Sequence, residues 1–105
     1  MFRRTVHPGV ILRDAIRELG ISRSEFARQI DVPPNRVSQI IAGKRCVTGD
    51  TALRLGHWFD IDPQFWLNLQ TQYDLVRADE GKGVAIRGLP TRKDLPAQLV
   101  LQGTL

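Results

Sequence analysis

Six side chains that can bind nucleic acid are concentrated between positions 35 and 45 of this 105-residue chain. They are Asn35, Arg36, Ser38, Gln39, Lys44 and Arg45. Amide, hydroxyl and guanidinium groups form hydrogen bonds with the edges of bases, and Lys and Arg also bind phosphate. The residue types and their close spacing therefore indicate a surface that contacts DNA, and a rigid element must hold these side chains on one side.

Two short helices joined by a tight turn are predicted to provide that element. The sequence SRSE places a cap at Ser22 and an acid at Glu25, a pair in which each side chain bonds the backbone N–H of the other. Pro34 suits the first turn of the second helix, and Gly43 suits its end. The inner face of the pair is expected to contain Phe26, Ala27, Ile30, Val32, Val37, Ile40 and Ile41.

The spacing of these apolar residues matches a helix-turn-helix motif, with Ala27 as the small residue where the two helices cross. The turn position that is usually Gly is Asp31, and Asp tolerates a left-handed backbone better than most residues. The alternative is a helical hairpin whose polar face is only solvated. That alternative explains the polarity, but it does not explain the apolar spacing together with the basic pair that follows.

The second helix of the motif is predicted to enter the major groove of DNA. Its base contacts are assigned to Pro33, Pro34, Asn35, Arg36, Ser38 and Gln39, with Asn35 and Arg36 contacting either bases or the flanking backbone. A Gln pairs with N6 and N7 of adenine, and a proline ring packs on a thymine methyl group. The phosphate contacts are assigned to Ser22, Arg23, Lys44 and Arg45.

The uneven charge distribution agrees with this assignment. The formal net charge is +4, but residues 1–45 contain nine basic and four acidic residues, whereas residues 46–79 contain two and five. The last part of the chain, residues 80–105, contains four basic and two acidic residues. The most basic segment thus coincides with the motif, as binding to phosphate requires.

Three further helices are predicted around the motif, which makes the fold all-α with five helices. They are Pro8–Leu19, Gly49–Phe59 with Thr48 as its cap, and a helix from Pro63 to Asp79 that follows the capping residue Asp62. In the first of these, the apolar stripe is Ile11, Leu12, Ala15, Ile16 and Leu19. In the fourth helix of the chain, the inward-facing residues are expected to be Ala52, Leu53, Leu55, Gly56 and Phe59.

The fifth helix carries more apolar side chains than one core face can cover. A second copy of the chain is expected to bury the surplus, with Phe65, Trp66, Leu69 and Tyr73 in the dimer interface. The resulting homodimer would present two recognition helices about 34 Å apart, one helical turn of DNA. The alternative is a monomer whose tail folds back over this helix.

The predicted domain for DNA binding and dimerisation spans residues 1–79. Residues 80–105 are predicted to be a flexible tail or a segment that becomes ordered on a partner, because Gly and Pro interrupt every regular pattern there. Within it, a short strand from Val84 to Leu89 and a turn of helix from Leu95 to Leu101 are the two candidate elements. At the other end, Arg3 and Arg4 belong to a short basic arm.

The residues of a catalytic or metal-binding site are not found in the sequence. His7 and His57 are isolated, and a single cysteine, Cys46, provides neither a metal-binding pair nor a disulfide. The glycine-rich segment GKGVAIRG lacks the residue order of a phosphate-binding loop. No apolar run approaches the ~18 residues of a membrane span. We therefore expect a cytoplasmic protein without cofactor, metal or enzymatic activity.

With these residues in view, the chain resembles the HigA-type antitoxins, a branch of the phage-repressor-like (Xre) helix-turn-helix family. The resemblance covers about residues 7 to 79 and rests on HPGVILRDAI, on the motif, on GKRCVTGDTALRLGHWFDIDP and above all on FWLNLQTQYDL. Two residues depart from the family pattern: Arg23 replaces the Gln that usually opens the first helix of the motif, and Asp31 replaces the turn Gly.

The resemblance implies a homodimeric repressor that binds a palindromic operator in its own promoter. It also implies a partner toxin of the HigB type, a small RelE-like ribonuclease that cleaves mRNA and that the antitoxin holds inactive. Two other functions remain open at this point. One is a stand-alone repressor of the same family without a toxin, and the other is a protein-interaction module whose motif no longer touches DNA.

Overall fold

The structure is a computed structural model, and it describes residues 5–92. Within these residues, five α-helices follow one another, which confirms the predicted all-α fold. They are α1 (Pro8–Leu19), α2 (Arg23–Ile30), α3 (Pro34–Ile41), α4 (Gly49–Phe59) and α5 (Pro63–Arg87). Helices α2 and α3 form the predicted helix-turn-helix, α1 packs against α3, and α4 packs along α5.

Short-range capping determines where the helices begin. The Ser22 hydroxyl accepts the Glu25 backbone N–H at 3.0 Å, and Thr48 and Asp62 accept in the same way at the starts of α4 and α5. The predicted return bond from the Ser22 backbone N–H to the Glu25 carboxylate is wrong. That carboxylate instead accepts hydrogen bonds from Arg28 and from the side-chain amide of Gln29. Each cap satisfies an N–H group that has no partner inside its helix.

The turn between α2 and α3 is left-handed at Asp31, with φ 59° and ψ 53°. This is the conformation that the sequence predicts for a position normally occupied by Gly. The Arg54 guanidinium on α4 stabilises it by donating to the backbone carbonyls of Ile30 and Asp31, at 2.9 and 3.1 Å. The strained turn is therefore tied to α4 as well as to the motif itself.

In the part of the chain that the structure describes, one hydrophobic core lies between the helices, and Phe26 and Trp66 are its largest fully buried side chains. The expected inner face of the motif is confirmed, with Ile41 only partly buried. Two residues that were expected to face inward do not: Leu19 is 52% exposed and Leu53 is 64% exposed. Both lie at the edges of apolar stripes, where helical spacing cannot distinguish a core position from a surface position.

Helix α5 is longer than predicted, because it continues past Asp79 to Arg87. The predicted strand from Val84 to Leu89 is therefore wrong, and the predicted domain boundary after Asp79 falls inside a helix. Arg87 forms an ion pair with Asp79 across Gly83, where any Cβ would meet the Asp79 carboxylate. The predicted basic arm at Arg3 and Arg4 and the helical turn after Leu95 lie outside the described residues.

Candidate nucleic-acid interface

Helix α3 presents two different faces. Val37 and Ile40 are each 1% exposed and hold the helix against the core. Asn35 is exposed on the opposite side, and Ser38 and Gln39 are half-buried. Pro33 and Pro34, at the start of the helix, are exposed as well. The structure thus brings the predicted base-contacting residues together at one end and one side of α3.

The position of α3 depends on a close backbone contact with α1. A Cβ at Gly9 would lie 1.9 Å from the carbonyl oxygen of Ile40 and 2.9 Å from Cα of Ile41. The two helices therefore approach more closely than any residue with a side chain allows. Because residue 9 is glycine, the backbone of α1 contacts the backbone of α3 directly and holds it in place.

The predicted phosphate-binding residues lie on either side of α3 in sequence. Ser22 and Arg23 lie at the start of α2, and Lys44 and Arg45 lie in the loop that follows α3, with all four exposed. The Ser22 oxygen already accepts a backbone N–H, so its hydroxyl hydrogen remains for an anion. Two cationic segments thus adjoin the ends of the helix-turn-helix.

The Arg36 guanidinium, by contrast, is paired with the Asp50 carboxylate on α4 at 3.3 Å. Asp50 also binds Arg54 at 2.9 Å, and this hydrogen bond is the largest cause that lowers the pKa of Asp50. The same contact raises the pKa of Arg54. One donor of the Arg36 guanidinium is therefore occupied by a carboxylate on α4, and its other N–H groups remain for further partners.

Sequence reasoning missed Asp50 and Arg54. The two residues are four positions apart on one helix, a spacing that favours an ion pair. That spacing could have predicted their contact with each other. It could not have predicted their contacts with α3 and with the turn, which depend on how α4 packs.

The residues predicted for the dimer interface separate into two groups. Trp66 is 2% exposed inside its own core, so its assignment to a dimer surface is wrong. Phe65 is 40% exposed, and Leu69 and Tyr73 are half-buried. Phe65, Leu69 and Tyr73 follow one another every four residues and so lie on one stripe of α5.

Two observations concern other kinds of chemistry. Within residues 5–92, acidic, His and Cys side chains form no group of three or more that could hold a metal ion. Among these same described residues, none of the helices is both long and apolar enough to cross a membrane. His7 lies at the N-terminus of α1 and His57 lies on α4, so the two histidines belong to different parts of the fold.

The recognition helix, its supporting turn and the flanking cations define a helix-turn-helix protein. The family model described as helix-turn-helix matches residues 12–66. Virulence-associated protein I of Dichelobacter nodosus is 44% identical over 78 residues, which cover 73% of this chain and 72% of that protein. Antitoxin HigA-1 of Vibrio cholerae is 34% identical over 74 residues, or 70% of each chain.

Solved structures identify the branch of the family. An addiction module antidote protein of the HigA family from Coxiella burnetii is 41% identical, with a TM-score of 0.82 over 86% of this chain and 99% of its own. The antitoxin HigA of Pseudomonas aeruginosa, determined with the higBA promoter, is 39% identical, with a TM-score of 0.79 over 88% of this chain and all of its own. The chain belongs to the HigA-type antitoxins of the Xre helix-turn-helix family.

Proposed function

We propose that this protein is the antitoxin of a type II toxin–antitoxin system. In this proposal it binds an operator in its own promoter as a sequence-specific repressor, and it neutralises a HigB/RelE-like toxin that cleaves mRNA. It acts in the cytoplasm by binding, without catalysis or a cofactor. The observation that carries the proposal is the polar side of α3, which lies between two cationic segments and is held by a contact that only glycine allows.

DNA binding follows from the geometry of α3. The helix enters the major groove, where Ser38 and Gln39 read base edges and Asn35 binds a base or the adjacent backbone. Pro33 and Pro34 approach the DNA at the start of the helix. Ser22, Arg23, Lys44 and Arg45 hold phosphates on both sides, which sets the register of the helix without reading sequence. Arg36 joins the interface, where DNA and Asp50 compete for its guanidinium group.

In this proposal, the protein is a homodimer that binds a palindromic operator. A half-buried apolar stripe on α5, formed by Phe65, Leu69 and Tyr73, supports this proposal. A two-fold symmetry axis next to this stripe brings the stripes of the two subunits into contact, so that each buries the other. The symmetric dimer then places its two α3 helices in successive major grooves of the same DNA face.

Binding to DNA is tested with the promoter fragment upstream of the protein's own reading frame. We expect a shift that weakens steeply as salt rises and that is much stronger than the shift of random DNA of equal length. A Gln39→Ala variant is expected to lose about 1–3 kcal/mol at one operator position, while Lys44→Ala weakens all sequences alike. Equal binding of promoter and random DNA by the natural protein would refute the proposal that it reads sequence.

Neutralisation of a toxin requires a separate experiment. The proposal predicts a toxin-sized reading frame beside this one; that frame is expressed alone and together with the antitoxin, and growth and mRNA integrity are measured. We expect growth arrest and mRNA cleavage from the neighbour alone, with rescue by co-expression. DNA binding without rescue would show instead a stand-alone repressor of the same family.

A further inference from the structure

A contact between two predicted DNA-binding side chains suggests how base recognition is controlled. Arg45 Nε donates a hydrogen bond to Gln39 Oε1 at 2.9 Å. The backbone brings these residues together: Gly43 adopts φ 75°, and the Lys44 N–H returns to the carbonyl oxygen of Gln39 at 2.9 Å. The loop after α3 is thus folded back onto the helix, and Arg45 follows it to the side chain of Gln39.

The chemistry of the two groups determines how the amide is oriented. A guanidinium group has donors but no acceptor, and the only acceptor in a Gln side chain is its carbonyl oxygen. Gln39 must therefore turn its oxygen toward Arg45, which leaves the two N–H donors of its nitrogen for another partner. A Gln without such a partner can turn either its donor or its acceptor toward a given base, whereas the bond from Arg45 favours one of the two orientations.

We propose that Arg45 is a specificity-determining residue that acts by positioning Gln39. It orients the Gln39 amide so that the N–H donors face base acceptors in the major groove, such as O6 and N7 of guanine, N7 of adenine or O4 of thymine. The amino group of cytosine is disfavoured at the same place because it is itself a donor. This inference rests on the proposed entry of α3 into the groove.

The role proposed for Arg45 differs from that of a residue that only binds phosphate. A cation that binds only the DNA backbone strengthens every sequence by the same factor and carries no base preference. A cation that also orients a base-reading amide changes the preference at one base pair. Lys44 provides the matched control, since it is an exposed cation in the same loop and its side chain has no hydrogen bond to Gln39 in the part of the chain that the structure describes.

The experiment compares four variants of the full chain with the natural protein: Gln39→Ala, Arg45→Met, Lys44→Met and the double variant Gln39→Ala/Arg45→Met. Binding is measured against the promoter fragment, against single-base-pair substitutions of it and against random DNA, at several salt concentrations. Methionine keeps much of the length of each cation and removes its charge. Because Arg45 and Lys44 are exposed, thermal unfolding is expected to confirm that both variants fold.

We expect Arg45→Met to lose roughly tenfold discrimination at the base pair that Gln39→Ala also affects, within the range of one side-chain–base contact. Both single Met variants are expected to reduce the salt slope by about one unit. Only Lys44→Met keeps the natural base preference. In the double variant, discrimination at that base pair is expected to equal that of Gln39→Ala alone.

Two results would overturn the inference. Arg45→Met that weakens all sequences equally and keeps full discrimination would make Arg45 a phosphate anchor only, and the proposed function would stand. A further loss of discrimination in the double variant, beyond that of Gln39→Ala, would show that Arg45 acts independently of Gln39. Failure of the proposed function is distinguishable from both, because the natural protein itself would then show no preference for the promoter.

Discussion

Gly9 is the place where a single methyl group is expected to separate the recognition helix from its support. In Gly9→Ala, the new Cβ would lie 1.9 Å from the carbonyl oxygen of Ile40, whereas ordinary contact begins at 3.4 Å. The two backbones must therefore separate by about 1.5 Å, and no flexible side chain is available to yield. Overpacking of this kind costs about 1–3 kcal/mol of stability.

The control for this variant is Gly81→Ala. Gly81 also lies in a helix, but nothing is within 4 Å of the position of its Cβ. Alanine there is expected to stabilise the protein by about 0.5–1 kcal/mol, because glycine loses more backbone entropy on folding. The two variants make the same chemical change and are expected to shift stability in opposite directions.

Denaturant unfolding followed by circular dichroism measures both effects, and the midpoint of thermal unfolding is expected to move by roughly 4–8 °C per kcal/mol. Gly9→Ala should also weaken binding to the promoter at temperatures where it is fully folded, because α3 is displaced from its seat against α1. If Gly9→Ala were as stable as the natural protein and bound the promoter as tightly, the contact between α1 and α3 would not position the recognition helix.

Three further predictions concern single side chains. Asp50→Asn removes the carboxylate that competes with DNA for Arg36, so promoter affinity should rise and the salt slope should steepen by about one unit. In an Arg36→Gln background, this gain in affinity should disappear. Burial lowers the pKa of His7, and His7 Nδ1 accepts the Gly9 backbone N–H at the start of α1. The contribution of His7 to folding stability is therefore complete above about pH 6.5, the ordinary pKa of a histidine, and it is lost as the pH falls from there through the lower pKa of the folded state. The thermal midpoint should therefore fall on acidification, and less so in His7→Asn, which keeps an acceptor but does not titrate. Phe65→Ala should weaken dimerisation in analytical ultracentrifugation with little loss of subunit stability, whereas Trp66→Ala should cost about 3–5 kcal/mol of folding stability; the opposite pattern would contradict the assignment of the two residues.

Most helix boundaries could be predicted because their determinants lie within a few residues of each other. Ser22, Thr48 and Asp62 each accept a backbone N–H two or three positions later, and Pro34 begins α3 as expected. The C-terminal end of α5 could not be predicted in this way. There, glycines argue against a helix, and the ion pair between Asp79 and Arg87 spans two turns.

The candidate interface could likewise be predicted from the sequence only where local features determine it. The polar residues of α3 could be identified from sequence because the apolar period of the helix leaves one side for them. Their partners could not, because Asp50 is fourteen residues from Arg36 in the chain and meets it only when α4 is packed against α2 and α5. The link between Gln39 and Arg45 likewise needed the left-handed backbone at Gly43.

By itself, the sequence determined where the helices begin, the left-handed turn at Asp31 and the polar side of α3, since each depends on local backbone and side-chain chemistry. Only the tertiary structure decided which of the adjacent residues Phe65 and Trp66 is buried, why residue 9 has no side chain and which carboxylate holds Arg36. These outcomes depend on distances between helices, and helical periodicity contains no information about such distances.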